Sequence, residues 1–337
     1  MSFQKSLQSI VLGNDLSEQE MVDAMTEVMD GQVGDTQLAA FLTALQVKKE
    51  KVPEIVGAAK VMREKAEKVK VKASHIVDTC GTGGDGADTF NISTAVAFVV
   101  AGASVTVAKH GNRAVSSKSG SADVLKCMGV NIEASLSTVE RCIEETGIGF
   151  LFAPLMHKAM KHAATVRKEL GFRTLFNLLG PLTNPANAHA QVLGVYDSRW
   201  VKPVAEVLRD LGSCRALVVH GFDGLDEITL TSETQVSELK NDNVTSFTID
   251  PKEYGYSLCS ANDLKGASPK ENAVIIRDIL NGTTGPKTDI VILNAAAAIY
   301  VGGKADSIEK GILVAANSID SGAANKKFEQ LCQMSNS

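Results

Sequence analysis

The pattern of the sequence changes at about residue 74, and this change limits the folds open to the chain. Before it the pattern is helical; after it, short β-type runs alternate with helical segments. Strands that are each followed by a helix favour a mostly parallel sheet with helices on both faces. The predicted strands are 75–77, 105–108, 148–152, 192–196, 216–219 and 290–293, with a small antiparallel excursion over 229–250. The predicted helices are 93–101, 121–128, 137–146, 200–211, 271–280 and 295–300.

The first seventy residues predict a group of helices. Ser17 and Glu20 have the spacing of a capping box, in which each side chain accepts the other residue's backbone amide at a helix start. Methionines follow at a helical spacing that favours packing in a core. We therefore expect an α/β protein with a small helical domain over 1–72, joined by a segment near 163–190, and a larger α/β domain over 73–337.

Composition excludes several classes of protein. The chain has 337 residues, 44% of them hydrophobic and 22% charged, which is ordinary for a globular protein. Its formal net charge of −5 and the lack of a basic tract argue against a nucleic-acid or membrane partner. The six cysteines include no C-x-x-C pair, so we expect reduced thiols and a cytoplasmic protein without a disulfide framework or zinc site.

A glycine-rich segment, Asp78-Thr-Cys-Gly-Thr-Gly-Gly-Asp-Gly86, follows the first predicted strand and precedes the helix near Ser93. Glycines let the backbone approach a ligand closely, and backbone amides before a helix N-terminus bind anions. The spacing is neither that of a P-loop nor that of a dinucleotide-binding loop. Taken alone, the segment is equally consistent with a flexible surface loop.

Two further polar segments strengthen the prediction of an anion site. Asn91-Ile-Ser-Thr94 places two hydroxyls and an amide at a helix start. Lys109-His-Gly-Asn-Arg-Ala-Val-Ser-Ser117 follows the predicted strand 105–108, and ligands of open α/β sheets bind at the carboxyl ends of strands. The three segments therefore predict a site for a phosphate-bearing ligand at one edge of the sheet.

Asp226 and Glu227 follow the predicted strand 216–219. Adjacent carboxylates repel each other unless a cation lies between them. Beside a phosphate site the natural cation is Mg²⁺, which takes one or two carboxylates together with phosphate oxygens. A surface turn is the alternative interpretation of this pair.

In this order and spacing, these segments and Gly180-Pro-Leu-Thr-Asn-Pro185 resemble the anthranilate phosphoribosyltransferase family of tryptophan biosynthesis. The resemblance covers nearly the whole chain. It implies a cleft between a helical and an α/β domain, and a homodimer formed largely through the helical part. The implied reaction moves the phosphoribosyl group of 5-phosphoribosyl 1-diphosphate to the amino nitrogen of anthranilate. The implied products are N-(5-phosphoribosyl)anthranilate and pyrophosphate, in the second step of tryptophan synthesis from chorismate.

The resemblance also implies site residues. For 5-phosphoribosyl 1-diphosphate they are Gly81, Gly84, Asp85, Thr89, Asn91, Ile92, Ser93, Thr94, Lys109, His110, Gly111, Asn112, Arg113, Ala114, Val115, Ser116, Ser117 and Ser121. For anthranilate they are Gly81, Asn112, His157, Arg167 and Gly180. For Mg²⁺, two ions per monomer, they are Ser93, Asp226 and Glu227. The residues expected to act in catalysis are Lys109, His157 and Arg167.

The expected chemistry needs no enzymic nucleophile, because an aromatic amine is one already. Lys109 and the metal would offset charge on the pyrophosphate, and Arg167 would hold the anthranilate carboxylate. His157 would either orient the ring or accept a proton. Cys80 is expected to pack in the core, since no base lies near it in the sequence.

The chain departs from the family's pattern at one position, and two alternative functions compete with the transferase. The family usually has His-Pro-Ala-Met where this chain has His157-Lys-Ala-Met160, so the approach loop is expected to be less rigid. A pyrimidine nucleoside phosphorylase would share the architecture but need no paired metal carboxylates, which argues against it here. A non-catalytic nucleic-acid-binding relative would have a basic surface and degraded loops, whereas this chain is acidic and keeps its loops.

Overall fold

The computed structural model describes residues 2–73, 75–114 and 118–337. Its N-terminal part consists of helices α1 (Phe3–Val11), α2 (Glu18–Met29), α3 (Asp35–Lys48) and α4 (Val52–Lys65). The predicted capping box starts α2: Ser17 Oγ accepts the Glu20 amide at 3.3 Å, and the Glu20 carboxylate accepts the Ser17 amide at 2.8 Å. The methionines of α2 are buried, as their spacing predicted.

A seven-stranded sheet forms the centre of the molecule. Its strands are β1 (Ile76–Gly81), β2 (Thr106–Gly111), β3 (Ile148–Phe152), β4 (Ala190–Gly194), β5 (Arg215–Gly221), β6 (Thr234–Lys240) and β7 (Asn243–Ile249). They lie in the order β3-β2-β1-β4-β5-β6-β7. The first five run parallel, and β6 and β7 are antiparallel to their neighbours. The mostly parallel sheet and its antiparallel extension are confirmed.

The other helices follow along the chain as α5 (Ile92–Gly102), α6 (Ser121–Met128), α7 (Leu136–Arg141), α8 (Ala153–Met156), α9 (Lys161–Leu170), α10 (Leu175–Leu182), α11 (Val201–Asp210), α12 (Pro269–Leu280), α13 (Pro286–Val301), α14 (Ile308–Asp320) and α15 (Ala323–Ser335). The predicted strand at 290–293 is wrong, because these residues lie inside α13. This helix is buried on most sides, and a short apolar run does not distinguish a buried helix from a buried strand.

Helices cover both faces of the sheet. In β5, Leu217 and Val219 belong to a core shared with α5 and α13, whereas Ala216 and Val218 belong to a core shared with α11 and the N-terminal helices. Both α9 and α10 also pack against the N-terminal helices, α9 on α2 and α3, α10 on α3 and α4. Within the described ranges no helix combines the length and apolar character needed to span a bilayer.

Candidate active site

The site lies where the strand order reverses, between β1 and β4. In open α/β sheets such a switch point forms a crevice at the carboxyl ends of the strands. Gly81 ends β1 and pairs in register with Gly194, which ends β4. Asp226 lies directly over both: a Cβ on Gly81 would approach its carboxylate to 2.5 Å, and one on Gly194 would overlap its backbone oxygen. Only glycine allows this approach, which brings the predicted metal carboxylate against the glycine loop.

The glycine loop, residues 81–86, is held beside Asp226. The Gly83 amide donates to the Asp226 carboxylate at 2.8 Å, and Asp85 is close enough for its charge to act on Asp226. Thr89, further along, forms an isolated bridge with Lys265. Three glycines of the loop have positive φ: Gly83 (65°), Gly84 (76°) and Gly86 (76°).

The start of α5 is built more for structure than its sequence suggested. The side-chain amide of Asn91 bonds Ser119 at 2.9 and 3.0 Å and accepts from Asn272 at 3.0 Å. The Ile92 side chain is buried in the core. The side chains of Asn91 and Ile92 are therefore engaged within the protein, and their backbone groups are the parts free to face a ligand. Thr94 is buried, and its hydroxyl has no hydrogen-bond partner among the described residues.

Lys109 lies beneath the crevice, 4% exposed. Its ammonium donates to the Thr79 carbonyl at 2.5 Å and to Ser93 Oγ at 3.3 Å. Burial lowers the pKa of Lys109, and the charges of Asp78 and Glu227 act in the opposite direction. A cation thus lies between the predicted metal ligands and the buried strand β1.

Asp78 and Asn184 support Lys109 and were given no role in the sequence argument. The buried Asp78 carboxylate accepts from Asn184 Nδ2 at 2.8 Å and from the His110 amide at 3.2 Å. Asn184 Nδ2 also donates to the Ala108 carbonyl at 2.8 Å. Burial raises the pKa of Asp78 to about 6, against the charge of Lys109. The signal was present in the sequence, since Asn184 belongs to the Gly-Pro-Leu-Thr-Asn-Pro segment.

Residues 111–114, at and just after the end of β2, lie against the start of α6. The carbonyl of Asn112 accepts from Ser121 Oγ at 3.3 Å, and Gly111 lies so close that a Cβ there would overlap the same hydroxyl. The Ala114 amide donates to Asp123 at 2.9 Å. The predicted contacts Val115, Ser116 and Ser117 lie outside the described residues.

Arg113, also predicted to bind phosphate, points to other partners here. It forms an exposed ion pair of 3.3 Å with Glu133, and its guanidinium lies 5.5 Å over the Phe152 ring. An exposed pair of this kind contributes only about 0–1 kcal/mol. Exchanging Glu133 for an anionic ligand therefore costs Arg113 little free energy.

The acidic groups are crowded. Burial raises the pKa of Asp226 to about 7, and the charge of Asp85 adds to the rise. Burial also raises the pKa of Glu227 well above its ordinary value, and Asp226 adds to it. Carboxylates held in this way favour a bound cation. Among the described residues no three His, Cys, Asp or Glu side chains form a metal cluster alone, so an ion here would need the ligand's oxygens as well.

Two further residues that the sequence argument missed hold the carboxylate segment. Asn294, buried in α13, accepts from the Ile228 amide at 2.9 Å and donates to its carbonyl at 2.7 Å. Asp223 accepts from Thr229 Oγ1 at 2.7 Å and from the Leu225 amide at 3.1 Å. The contacts of Asp223 are local, whereas Asn294 and Ile228 are 66 positions apart, and no local pattern in the sequence marks that contact.

Two neutral histidines lie side by side near Lys109. The rings of His110 and His157 lie 5.0 Å apart, and both are buried. Burial, together with the neighbouring His157, lowers the pKa of His110 to about 3. Burial lowers the pKa of His157 to about 4. The Thr183 backbone lies near enough to the His157 ring to oppose the fall of its pKa, while neither ring nitrogen forms a well-aligned hydrogen bond with a described residue.

Gly180 and Arg167 lie on the helices that adjoin this pair. The backbone of Gly180, in α10, is next to His110, and the glycine itself faces open space. The Arg167 guanidinium, from α9, lies 5.2 Å over the Phe176 ring. Burial lowers the pKa of Arg167, and within the described part of the chain it has no ion pair. A partly buried cation without a counter-ion suits a carboxylate ligand.

Lys158, which replaces the family's usual proline, pairs with Glu67 at 2.9 Å. The Lys158 side chain is 71% exposed. The backbone is joined nearby, since the Glu67 amide donates to the Met156 carbonyl at 2.9 Å. The lysine thus ties the approach loop to the segment after α4, although an exposed pair adds little stability.

The two neutral histidines predict how stability depends on pH. In the unfolded chain they take up protons near pH 6.5, whereas their folded pKa values are lower. The unfolded state then binds more protons between about pH 4 and 6.5, so this contribution to stability is lost as the pH falls through that range. His157→Gln should lower the dependence by up to about 1.4 kcal/mol per pH unit. Urea unfolding of both proteins at several pH values measures the difference.

The buried carboxylates have raised pKa values and change stability with pH in the opposite direction. Their contribution is the same in the variant and the wild type, so it cancels when the two are compared. The control is His75→Gln, because His75 is exposed. It shows the effect of removing an imidazole that lies outside the buried pair. A His157→Gln protein with the wild-type dependence would contradict a neutral buried His157.

Residues 4–66 match the "Glycosyl transferase family, helical bundle domain" and residues 73–325 the "Glycosyl transferase family, a/b domain". Anthranilate phosphoribosyltransferase of Acetivibrio thermocellus is 54% identical over 99% of this chain and 96% of its own length. The crystal structure of the Thermus thermophilus enzyme of that name superposes with a TM-score of 0.94, at 43% identity, over 98% of this chain and 99% of that one.

The enzyme from Saccharomyces cerevisiae has been solved in complex with PRPP and Mg. It is 29% identical, with a TM-score of 0.87 over 98% of each chain. The same yeast enzyme has also been solved with 4-fluoroanthranilate.

Proposed function

This chain belongs to the anthranilate phosphoribosyltransferase family, and on that premise we propose that its crevice carries the family's reaction. The chain transfers the phosphoribosyl group of 5-phosphoribosyl 1-diphosphate to the amino nitrogen of anthranilate in tryptophan synthesis. The observation that supports this site is Asp226 lying across Gly81 and Gly194, with the neighbouring Glu227 close enough to Lys109 for their charges to interact. It joins an anion-binding loop, a metal carboxylate and a buried cation at one switch point.

The donor site consists of the glycine loop, the start of α5 and Lys109. Backbone amides of the loop, together with the N-terminus of α5, bind the phosphates. The ammonium of Lys109 is fixed by Thr79 and Ser93, so it needs no rearrangement to oppose the charge that grows on the departing pyrophosphate. The residues of the loop after β2 complete this half of the site.

Magnesium fits the acidic half of the site. Asp226 and Glu227 are crowded carboxylates whose pKa values rise without a cation, and with Ser93 they offer the hard oxygen ligands that Mg²⁺ prefers. When bound, the ion neutralises pyrophosphate charge, which contributes several kcal/mol of transition-state stabilisation in metal enzymes. Two ions per monomer would fit this arrangement, because Glu227 is directed toward Ser93 and Asp226 toward the glycine loop.

The acceptor site lies on the histidine side. Arg167 pairs with the anthranilate carboxylate, and His110 and His157 give the ring a neutral surface. Because His157 is neutral, one of its ring nitrogens carries no proton, and this nitrogen accepts a hydrogen bond from the amine and orients it. Its low pKa makes it a weak base, so orientation contributes more than proton removal. Gly180 and Asn112 line the approach.

Arg167→Ala should raise the anthranilate KM roughly ten- to a hundredfold, since a charge-assisted hydrogen bond contributes about 1.5–3 kcal/mol. The KM for 5-phosphoribosyl 1-diphosphate should change little, because the Arg167 guanidinium, on α9, packs over Phe176 of α10. Steady-state kinetics with each substrate varied in turn measures the two constants. Lys168→Ala, an exposed neighbour on the same helix, is the matched control. Equal rises in both KM values would mean that Arg167 does not bind the carboxylate.

The function itself is tested by the loss of anthranilate fluorescence. The fluorescence should fall only when 5-phosphoribosyl 1-diphosphate and Mg²⁺ are both present. Release of free base from pyrimidine nucleosides with inorganic phosphate would instead favour the nucleoside phosphorylase alternative. No fluorescence change with any combination would reject the transferase.

The same proposal includes the assembly and its setting. The chain works in the cytoplasm as a homodimer, with a helical domain over 1–72, joined by 163–190, and an α/β domain over 73–337. Support for the dimer comes from α1 and α3, between which lies a groove of about 480 Å³. Three large apolar side chains there are strongly exposed: Val11 (65%), Leu12 (78%) and Val47 (77%). A second copy of the chain would bury them.

Leu12→Asp with Val47→Asp should therefore convert the dimer into a monomer. A charge placed in an apolar interface costs several kcal/mol of association free energy. Sedimentation velocity measures the mass, and Val274→Asp is the control because Val274 is equally apolar and 56% exposed on α12. A double variant that sediments like the wild type would contradict this interface.

A further inference from the structure

Arg173 connects the acceptor side of the site to the glycine loop. It lies in the turn between α9 and α10 and is exposed. One N–H of its guanidinium donates to the carbonyl of Gly84, 89 residues earlier in the chain. The same guanidinium lies 4.1 Å over the ring of Tyr196. An exposed arginine with two directed contacts is better fixed than an ordinary surface side chain, and neither the fold nor the proposed chemistry accounts for it.

The platform under Arg173 is tied to the same loop. Tyr196 follows β4, and its amide donates to Thr82 Oγ1 at 3.0 Å. Its hydroxyl accepts from the indole N–H of Trp200 at 3.2 Å, which fixes the ring. Trp200 is buried in the core shared with the N-terminal helices. The loop is therefore held at Thr82 through Tyr196 and at Gly84 through Arg173.

Peptide geometry explains what a donor on the Gly84 carbonyl achieves. In a planar trans peptide the carbonyl and the following amide point in opposite directions, and the described chain has no cis peptide bonds. A loop that turns its amides toward an anion must turn its carbonyls away from it. Arg173 provides a charged donor for one of these carbonyls and so fixes the direction of the Asp85 amide. Glycines at 83, 84 and 86 would otherwise leave this peptide free to rotate.

The C-terminal end of α10 is anchored to the sheet as well. Asn184, just beyond this helix, bonds Asp78 in β1 and the Ala108 carbonyl in β2. Between the two attachments α10 carries Phe176, which packs under Arg167, and Gly180, which adjoins His110. One rigid helix thus spans from the acceptor side to the donor loop, with Arg173 as its contact at the loop.

We propose that Arg173 is a positioning residue which, seated on Tyr196, holds the Gly84 carbonyl outward so that the glycine loop is preorganised for the diphosphate of the donor substrate. The identity of that substrate rests on the proposed function; the contact between Arg173 and the loop does not. Preorganisation saves the entropy of ordering a glycine-rich segment when the ligand binds. Arg173 acts through the loop and touches no reacting atom.

Arg173→Ala and Tyr196→Leu test the proposal in two steps. Without any ligand, hydrogen exchange of the amides of residues 82–88 should become at least about threefold faster in both variants. In steady-state assays the KM for 5-phosphoribosyl 1-diphosphate should rise about tenfold, with the anthranilate KM and kcat changed much less. Arg173→Lys keeps the charge but loses the planar fork, so it should recover only part of the effect.

The matched control is Arg277→Ala. Arg277 is also exposed, lies over an aromatic ring, Phe328 at 5.8 Å, and donates to a backbone carbonyl, that of Met128 at 3.2 Å, but these contacts are with α15 and the end of α6 and not with the glycine loop. Its removal should leave both exchange and KM unchanged. Trp200 is the chain's single tryptophan, so a shift in its emission in Tyr196→Leu reports loss of the platform directly.

Unchanged loop exchange in Arg173→Ala would overturn the proposal whether or not the chain is a transferase, because that measurement needs no substrate. Equal rises in both KM values, or a fall in kcat alone, would also overturn it, since they would place Arg173 at the reacting atoms or in the general stability of the fold. Failure of the proposed function would instead appear as a wild-type protein that does not consume anthranilate.

Discussion

Asp226→Asn combined with Glu227→Gln is expected to lower kcat by about a thousandfold or more while the chain stays folded. Both carboxylates lie in the crevice with raised pKa values, so keeping them ionised lowers the stability of the metal-free protein. Each amide keeps the shape of the carboxyl group it replaces, and the amide oxygen at position 226 can still accept the Gly83 N–H. Only the charge that binds Mg²⁺ is lost.

Two measurements separate the metal from the fold. The fluorescence assay over a range of Mg²⁺ gives turnover, and thermal unfolding with and without Mg²⁺ gives stability. In the absence of the metal the double variant should be as stable as the wild type or more so, because crowded charge has been removed. The stabilisation that Mg²⁺ gives the wild type in the presence of 5-phosphoribosyl 1-diphosphate should disappear.

Glu233→Gln is the control for this pair. It removes an exposed carboxylate six residues further on and should change neither turnover nor the response to Mg²⁺. Undiminished activity of the double variant at limiting Mg²⁺ would show that these carboxylates do not serve the metal.

The class of fold could be predicted because each strand ends and each helix begins within a few residues of a local signal. Strands β2 and β3 and the helix at 121–128 lie at or near the predicted positions. The error at 290–293 has a physical cause: Ile-Val-Ile-Leu is apolar on every side, and only its packing between α14, α5 and the sheet makes it helical. Periodicity carries no information where all faces are buried.

The candidate site was predictable as a set of loops but not as an arrangement. Each loop carries its own local signal, such as the glycines at 81–86. The contact that joins them is between Asp226 and Gly194, and Gly194 looks like any residue at the end of a strand until the neighbouring chain is placed. For Asn91 the structure adds what the sequence could not show, since its amide, predicted to bind the ligand, is bonded to Ser119 and Asn272.

Residues that position other groups could not be predicted from the sequence, for the same reason. Arg173 lies in an ordinary helix–helix turn, and Asn294 lies within a run of alanines and apolar residues. Their partners, Gly84 and Ile228, are 89 and 66 positions away. Patterns of 2.0 or 3.6 residues describe one element at a time. Long-range polar contacts need the topology first.

Lys109→Met is expected to be the most damaging single change. Loss of a preorganised charge opposite the pyrophosphate should lower kcat by roughly a hundred- to a thousandfold. The substitution also leaves Asp78 buried without its neighbouring cation, and removing one member of a buried charge pair costs about 3–5 kcal/mol of stability. Activity and folding would thus fall together, so a single variant cannot separate them.

Adding Asp78→Asn to Lys109→Met makes the separation. The second change removes the uncompensated carboxylate, while the amide oxygen at position 78 can still accept the His110 N–H, so urea unfolding should show part of the lost stability restored. Turnover should stay at the level of the single variant, because the cation beside Ser93 is still missing. If turnover recovered along with stability, Lys109 would be a structural residue, and the charge opposing the pyrophosphate would have to come from the loop after β2.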